Sequence, residues 1–261
     1  IRVNTDRISV DEFERKLEAA GIETVRGSLN DTSLLIKGYD YVRRIPGFMD
    51  GEFVVQDQSS CLAVKAAGIQ EGDLVVDVCA APGGKTMYAA SLAGQTGRVI
   101  SRDLTENKTE LIEENVDRLG LTNVTVEAWD ARELDENLVG KADVVIADLP
   151  CSGLGIMGRK NDIKYNVTGD SIDELAQLQR DILDTVSGYV RPGGTLVYST
   201  CTIDSRENQN NVKWFVENHD FETVSIDEIV PGRGGDKGFV TLLQGVDECD
   251  GFFISKFVRT K

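Results

Sequence analysis

Cysteine is the residue type in this chain best suited to covalent chemistry, and five occur, at positions 61, 79, 151, 201 and 249. They are widely spaced, odd in number and contain no CxxC pair, so neither a disulfide framework nor a zinc ribbon is expected, and no metal is expected. Cys151 follows Pro150 in ADLPCSG, and Cys201 follows Thr200 in YSTCT. A thiol near a helix N-terminus is eased toward thiolate, the nucleophilic form. The stretch from Glu207 to Asn218 reads as such a helix, capped by Asp204 or Ser205, just past Cys201. Asp148 leaves an apolar run three residues before Cys151, and an ionised carboxylate there needs a partner. The single histidine, His219, has nothing around it to build a Ser-His-Asp or Cys-His arrangement. Either cysteine alone reads as a small packing residue. Two in matching positions at strand exits, each after a small or rigid residue, favour a chemical role.

A second group of residues is suited to holding a ligand. DVCAAPGGKT runs from Asp77 to Thr86 and contains Cys79, Ala80, Ala81, Pro82, Gly83, Gly84 and Lys85. Small residues after a buried strand let a ligand approach the backbone, and the glycines permit a tight turn into a helix N-terminus. The spacing is neither GxxxxGK[ST] nor GxGxxG, and the plain alternative is an ordinary strand-turn-helix corner. Asp103 in SRDL and Asp130 in WDA follow later strands. An acid after the second strand commonly grips ribose hydroxyls, and Asp130 could accept from an adenine amino group. A helix cap or a solvated carboxylate is the alternative for each.

These groups are placed by alternating elements. LVVDVCA (74–80), RVISRDL (98–104), VTVEAWDA (124–131), ADVVIADLP (142–150) and TLVYSTC (195–201) read as strands. Helices are expected near 84–93, 107–120 and 171–190, the last stopped by Arg191, Pro192, Gly193 and Gly194. FETVSI, TLLQG and GFFISKFV can supply the last strands. The pattern predicts an α/β fold, a mostly parallel sheet with helices on both faces, and ligands bound at the carboxyl ends of its strands. Asp77 to Ala81, Asp103, Asp130, Asp148 to Cys151, and Thr200 with Cys201 all lie at those ends. Residues 1–52 read as a small α+β module, with Ser9 capping a helix over 10–20 whose Phe13 and Leu17 share a face. Residues 53–261 form the larger, catalytic domain.

Lys and Arg total 28 against 44 Asp and Glu, a net charge of −16, which counts against nucleic-acid binding. Local basic candidates remain: Lys37, Arg43 and Arg44, and Arg159, Lys160 and Lys164 on the Gly-rich loop after Cys151. Their alternative is a solvated surface; a separate basic domain could also supply affinity. No apolar run approaches the roughly 18 residues of a membrane span, and there is no apolar signal region, so a cytoplasmic chain with reduced thiols is expected. Its first residue is Ile1 rather than Met, so a preceding segment is expected. A monomer is expected.

DVCAAPGGKT, DLPCSG and YSTCT, in this order, closely resemble the RNA cytosine-5 methyltransferases of the RsmB and Sun/NSUN type. The resemblance runs from about Phe53 to the closing DGFFISKF, and IRVNT with the PGF of 46–48 is similar to that family's lead-in module. GLGIMGRKNDIKY most resembles bacterial RsmB-like enzymes acting on 16S ribosomal RNA. The resemblance implies a Rossmann-like class I methyltransferase sheet that binds S-adenosylmethionine. Cys79 to Lys85 would form the cofactor loop, Asp103 would hold its ribose, Asp130 would lie by its adenine, and Asp148 would sit near its methionine end and the target base. Cys201 would be the nucleophile and Cys151 would help release product. Members usually carry an N-terminal helical RNA-binding domain, which is not among these residues.

That chemistry suits cysteine. Thiolate attack at C6 of cytosine activates C5 toward a methyl group, with N3 protonated as the adduct forms. Asp148 is the candidate for N3, provided burial raises its pKa. Three rivals stand beside this reading: the same fold with another acceptor such as transfer RNA or protein, a non-catalytic ribosome-assembly factor, and a dithiol redox protein. The last requires sulfurs close enough to bridge.

Overall fold

The computed structural model describes residues 1–261. The chain opens with β1 (Arg2–Val3), α1 (Val10–Ala19), β2 (Glu23–Arg26) and β3 (Leu34–Lys37). Ser9 caps α1 in a reciprocal box with Glu12, which satisfies the first free N–H groups of the helix. Phe13 and Leu17 then face inward, where they pack with Val3, Leu34 and Phe53. Phe53 belongs to β4 (Phe53–Val54), which pairs antiparallel with β1. The small module and the larger unit therefore join through a strand pair, reinforced by Arg118, whose guanidinium donates to the carbonyls of Phe48 and Phe53.

The larger unit continues through α2 (Gln58–Ala67), β5 (Leu74–Asp77), α3 (Gly84–Ala93), β6 (Arg98–Asp103), α4 (Glu106–Leu119), β7 (Val124–Ala128) and β8 (Ala142–Asp148). It closes with α5 (Ile163–Asn166), α6 (Gly169–Ser187), β9 (Val190–Thr200), α7 (Gln209–Asn218), β10 (Phe221–Thr223), β11 (Phe239–Leu242) and β12 (Phe252–Arg259). The strand order is β10-β12-β9-β8-β5-β6-β7, with β11 on β12. Strands β5 to β9 are mutually parallel, and β12 runs antiparallel beside β9. Side chains alternate across the sheet. Val75, Val99, Val144 and Val197 pack against α2 and α3 on one face. Val76, Ile100, Val145 and Leu196 pack against α6 and α7 on the other. The expected α/β, Rossmann-like sheet covered on both faces is present. Chain order reverses at β5, between β6 and β8, and the crevice at that switch point is where such sheets bind ligands.

Two local readings change. Helix α6 ends at Ser187, and Arg191–Gly194 lie inside the long strand β9, where a register shift between Ala142 and Val144 accommodates them. Gly193, at φ +74°, supplies the irregular step. The helix after Cys201 begins only at Gln209; residues 205–208 form a turn, and the N-cap is Asn208 without a side-chain cap bond. Neither Asp204 nor Ser205 caps it. No helix is long and apolar enough to cross a membrane.

Candidate active site

Strand β5 ends in Asp77, and the following loop turns through Gly83, at φ +100°, into α3. A Cβ on Gly83 would meet Ile112 and Met87 at 3.3 Å, so the turn is both left-handed and tightly packed. Opposite this loop, Asp103 closes β6. Its Oδ2 accepts from the Ala81 N–H at 2.9 Å, and its Oδ1 accepts from the Leu104 N–H at 2.8 Å and from Lys108 Nζ at 2.9 Å. Asp130 follows β7 and is chelated by Arg132, with a closest contact of 2.6 Å, which holds its carboxyl below the usual range. Asp103, Asp130, Ala81, Asp148, Cys151 and Cys201 all line one cavity of about 430 Å³. That is within the roughly 300–1,000 Å³ of small-molecule sites. Residues flagged from sequence at the ends of five strands thus meet in this cleft, while Asp77, Ala80, Pro82, Gly84 and Lys85 line a neighbouring one.

Lys85 extends from the first turn of α3 to Asp148, with Nζ 2.5 Å from Oδ2. The other oxygen, Oδ1, accepts from Ser199 Oγ at 2.7 Å, a contact set by the register that places Asp148 opposite Ser199 on β9. Asp148 is thus one half of an ion pair, with its side chain 28% exposed, and not the isolated buried acid that the proton-donor argument asked for. Asp148 and Lys85 also line a second cavity of about 180 Å³ with Gln56, Asp57 and Ser60. The two cavities share Cys79, Ala81 and Asp148.

Cys151 Sγ lies 3.1 Å from Cys201 Sγ. The pair is close enough to share one proton, so the separation that would set aside a dithiol chemistry is not found. The hydrogen bond between them pulls the Cys201 thiol down from its ordinary value, aided by the Lys85 ammonium, and pushes that of Cys151 up, aided by burial. Of the two, Cys201 is the thiol that ionises more readily. Cys79 also touches the cavity, but burial and then the charge of Asp103 push its thiol up, which makes it a wall and not a nucleophile. Cys61 is buried in the core. His219 lines neither cavity; its ring stacks on Phe215 and bonds Asp184.

The basic candidates are dispersed. Arg159 is drawn onto two carboxylates, Asp57 and Asp250, each at 2.9 Å. Arg43 reaches Glu114 at 3.4 Å, and Arg44 stacks on Tyr41. Lys160, Lys164 and Lys37 are exposed. Exposed pairs such as Arg43–Glu114 contribute little, so these side chains stay available.

Several residues that position the cysteines carried no sequence signal. Gly155 N–H donates to the Cys201 carbonyl at 2.9 Å, and a Cβ on Gly155 would sit 2.0 Å from the Gly251 oxygen. Behind the pair, Ser152, Thr202, Gln179 and Glu207 form a buried polar cluster. Glu207 reads from sequence as the first residue of a helix, but it lies in the turn ahead of that helix.

The chain is similar to known proteins in both sequence and fold. A family model described as 16S rRNA methyltransferase RsmB/F matches residues 65–258. The probable ribosomal RNA small subunit methyltransferase B of Bacillus subtilis is 38% identical, over 97% of this chain and 58% of its own length. The ribosomal RNA small subunit methyltransferase F of Cronobacter sakazakii is 32% identical, over 100% of this chain and 56% of its own length. The crystal structure of a methyltransferase homolog protein from Pyrococcus horikoshii superposes with a TM-score of 0.84 at 30% identity, covering 99% of this chain and 85% of that one. This chain thus spans somewhat over half the length of the two curated relatives. The fold is that of the class I methyltransferases, and the chain belongs to the RsmB/F family.

Proposed function

We propose that this chain is the catalytic part of an S-adenosylmethionine-dependent RNA methyltransferase that modifies carbon 5 of a cytosine, in 16S ribosomal RNA, with Cys201 as nucleophile. The observation that carries the reading is the Cys151–Cys201 pair, at 3.1 Å, on the wall of the cleft that also holds Asp103 and Asp130. Methylation of an amine or hydroxyl needs no thiol nucleophile. Two cysteines sharing a proton suit a reaction that must form and then break a bond to carbon.

The cleft fits the cofactor. Asp103 offers a carboxylate to a ribose diol once Lys108 gives way, Asp130 lies further along for an adenine amino group, and Cys79 and Ala81 of the Cys79–Lys85 loop line the wall between them. S-adenosylmethionine bound there supplies the methyl group as an electrophilic sulfonium. Residues of this chain do the rest. Cys201 Sγ adds to C6, and the displaced electron pair moves through the ring to N3, which takes a proton. The Lys85–Asp148 pair holds that proton: Lys85 Nζ carries it, and Asp148 orients the ammonium. C5, now electron-rich, takes the methyl. A water in the cleft takes the C5 proton as the C6–S bond breaks, N3 returns its proton to Lys85, and the Cys151 thiol reprotonates the departing Cys201 sulfur across the 3.1 Å contact. The target base must be unstacked to enter. Arg159, Lys160 and Lys164, with Arg43 and Arg44, are the side chains offered for phosphate.

The test uses Cys151→Ala. With product release impaired, this variant should accumulate a denaturation-resistant protein–RNA adduct in the presence of S-adenosylmethionine and small-subunit RNA. Wild type should show little, and Cys151→Ala/Cys201→Ala none. Absence of any Cys201-dependent adduct, with cofactor binding intact, overturns the cytosine reading.

A further inference from the structure

Cys151 and Cys201 reach each other from the exits of different strands, so their spacing must be set from outside the pair. We propose that Glu207 is the positioning residue that sets it, clamping the two cysteine-bearing loops from behind; this rests on Cys151 and Cys201 being the reacting thiols.

Glu207 is fully buried, at 0% exposure, and takes part in no ion pair. Its Oε1 accepts from the Ser152 N–H at 2.9 Å and from Gln179 Nε2 at 3.0 Å. Its Oε2 accepts from Ser152 Oγ at 2.5 Å. Gln179 Nε2 also donates to the Pro150 carbonyl at 2.9 Å. Both neighbours of Cys151 in the chain are thereby tied to one carboxylate. Ser152 Oγ in turn lies 2.8 Å from Thr202 Oγ1, next to Cys201. Ser152 has one hydroxyl proton and donates it to Glu207, so Thr202 donates to Ser152. The chain of hydrogen bonds thus has one direction, and it joins the residue after Cys151 to the residue after Cys201. Asn208 completes the hold on the second loop. Its Oδ1 accepts from Thr200 Oγ1 at 2.6 Å, and its Nδ2 donates to the Thr202 carbonyl at 3.0 Å. A fully buried carboxylate without a cation is a poor choice for packing alone, because an apolar residue of the same volume would avoid the desolvation cost. Its placement is explained by the three donors it gathers from two separate segments.

Two variants separate positioning from packing. In Glu207→Gln the amide oxygen can still accept from the Ser152 N–H and Gln179. The amide nitrogen can donate to Ser152 Oγ, whose hydroxyl then turns to Thr202, so the clamp survives with its direction reversed. Glu207→Met keeps volume but leaves those donors unpaired. The readout is the rate of iodoacetamide alkylation of Cys201 and of Cys151 against pH, resolved by peptide mass, which needs neither RNA nor cofactor. For Glu207→Gln, the Cys201 profile should match wild type within about threefold; for Glu207→Met it should move to higher pH, with alkylation at neutral pH slowed about tenfold. S-adenosylmethionine affinity should hold within about threefold in both. Ser152→Ala should move the profile in the same direction as Glu207→Met, and it decides the matter if Glu207→Met does not fold. An unchanged Cys201 profile in Glu207→Met or Ser152→Ala overturns the proposal. So does loss of cofactor affinity in parallel, since that marks general structural damage. Failure of the RNA adduct with this alkylation pattern intact would overturn the cytosine reading and leave the clamp standing.

Discussion

The sulfur of Cys151 sits 3.1 Å from that of Cys201, and the two thiols are unequal. Cys201 is pulled down by the hydrogen bond from Cys151 and by Lys85, whereas Cys151 is pushed up. A lowered thiol ionises at lower pH, so Cys201 should be alkylated first as pH rises. Removing the donor in Cys151→Ala should move the Cys201 alkylation profile upward in pH and slow labelling at pH 7 by roughly tenfold, one pH unit of thiolate population. A Cys201 profile unchanged in Cys151→Ala would show that the contact does not activate it.

The same contact predicts sensitivity to oxidation. The sulfurs need to approach by about 1 Å to reach the roughly 2.05 Å of a disulfide. Treatment with diamide should take two electrons and two protons from the pair, reducing the diamide and joining Cys151 to Cys201. Peptide mapping should find that linkage, RNA adduct formation should cease, and dithiothreitol should restore both. Mixed disulfides elsewhere, with Cys151 and Cys201 still free, would count against the prediction.

Much of this site is legible in the chain because its determinants are local. Gly83 and Gly84 mark the turn after β5, and Asp103, Asp130 and Asp148 fall at strand ends that hydrophobic alternation locates within a few residues. Pro150–Cys151 and Thr200–Cys201 are likewise readable as strand exits. What sequence does not reveal is who partners whom across the fold. The ion pair of Asp148 with Lys85 changes the carboxylate from an isolated group into the anchored partner of an ammonium, and only the packing of α3 on β5, the neighbour of β8, creates it. Glu207 looks like a first-turn helix acid, a position where acids are common for dipole reasons. Its burial under Ser152 and Gln179 comes from the long-range meeting of α6 with two loops. Gly155 and Gly251 are invisible for the same reason: each is required by the other's backbone.

Asp103 is the residue on which cofactor affinity should depend most. It holds the loop through the Ala81 N–H and, in the proposed function, also serves the ribose. Asp103→Asn keeps the shape but loses charge-assisted bonds worth about 1.5–3 kcal/mol. S-adenosylmethionine should therefore bind about 10- to 150-fold more weakly by calorimetry. Lys108→Met frees Asp103 Oδ1 of its ammonium and should strengthen or preserve binding. Equal weakening in both variants would mean that Lys108, not Asp103, makes the contact.

Asp77 gives the protein a pH-dependent stability of unusual sign. It is fully buried at the end of β5, its Oδ2 accepts from Thr86 Oγ1, and its Oδ1 has no partner. Burial raises its pKa from 3.8 to about 7, with the charges of Asp148 and Asp103 adding to the effect and Thr86 and Lys85 opposing it. A carboxyl raised in the folded state binds its proton more tightly folded than unfolded. Its contribution is therefore undiminished below the unfolded value near 3.8, falls as pH rises toward 7, and is fully lost above that. The difference corresponds to on the order of 4 kcal/mol between the two limits. Asp77→Asn cannot ionise. Whatever the amide itself costs, urea unfolding of variant and wild type, without cofactor, should shift in favour of the variant as pH rises from 4 to 8. A difference independent of pH would show that Asp77 is already charged in the folded protein at acidic pH, satisfied by Lys85 and Thr86 despite its burial.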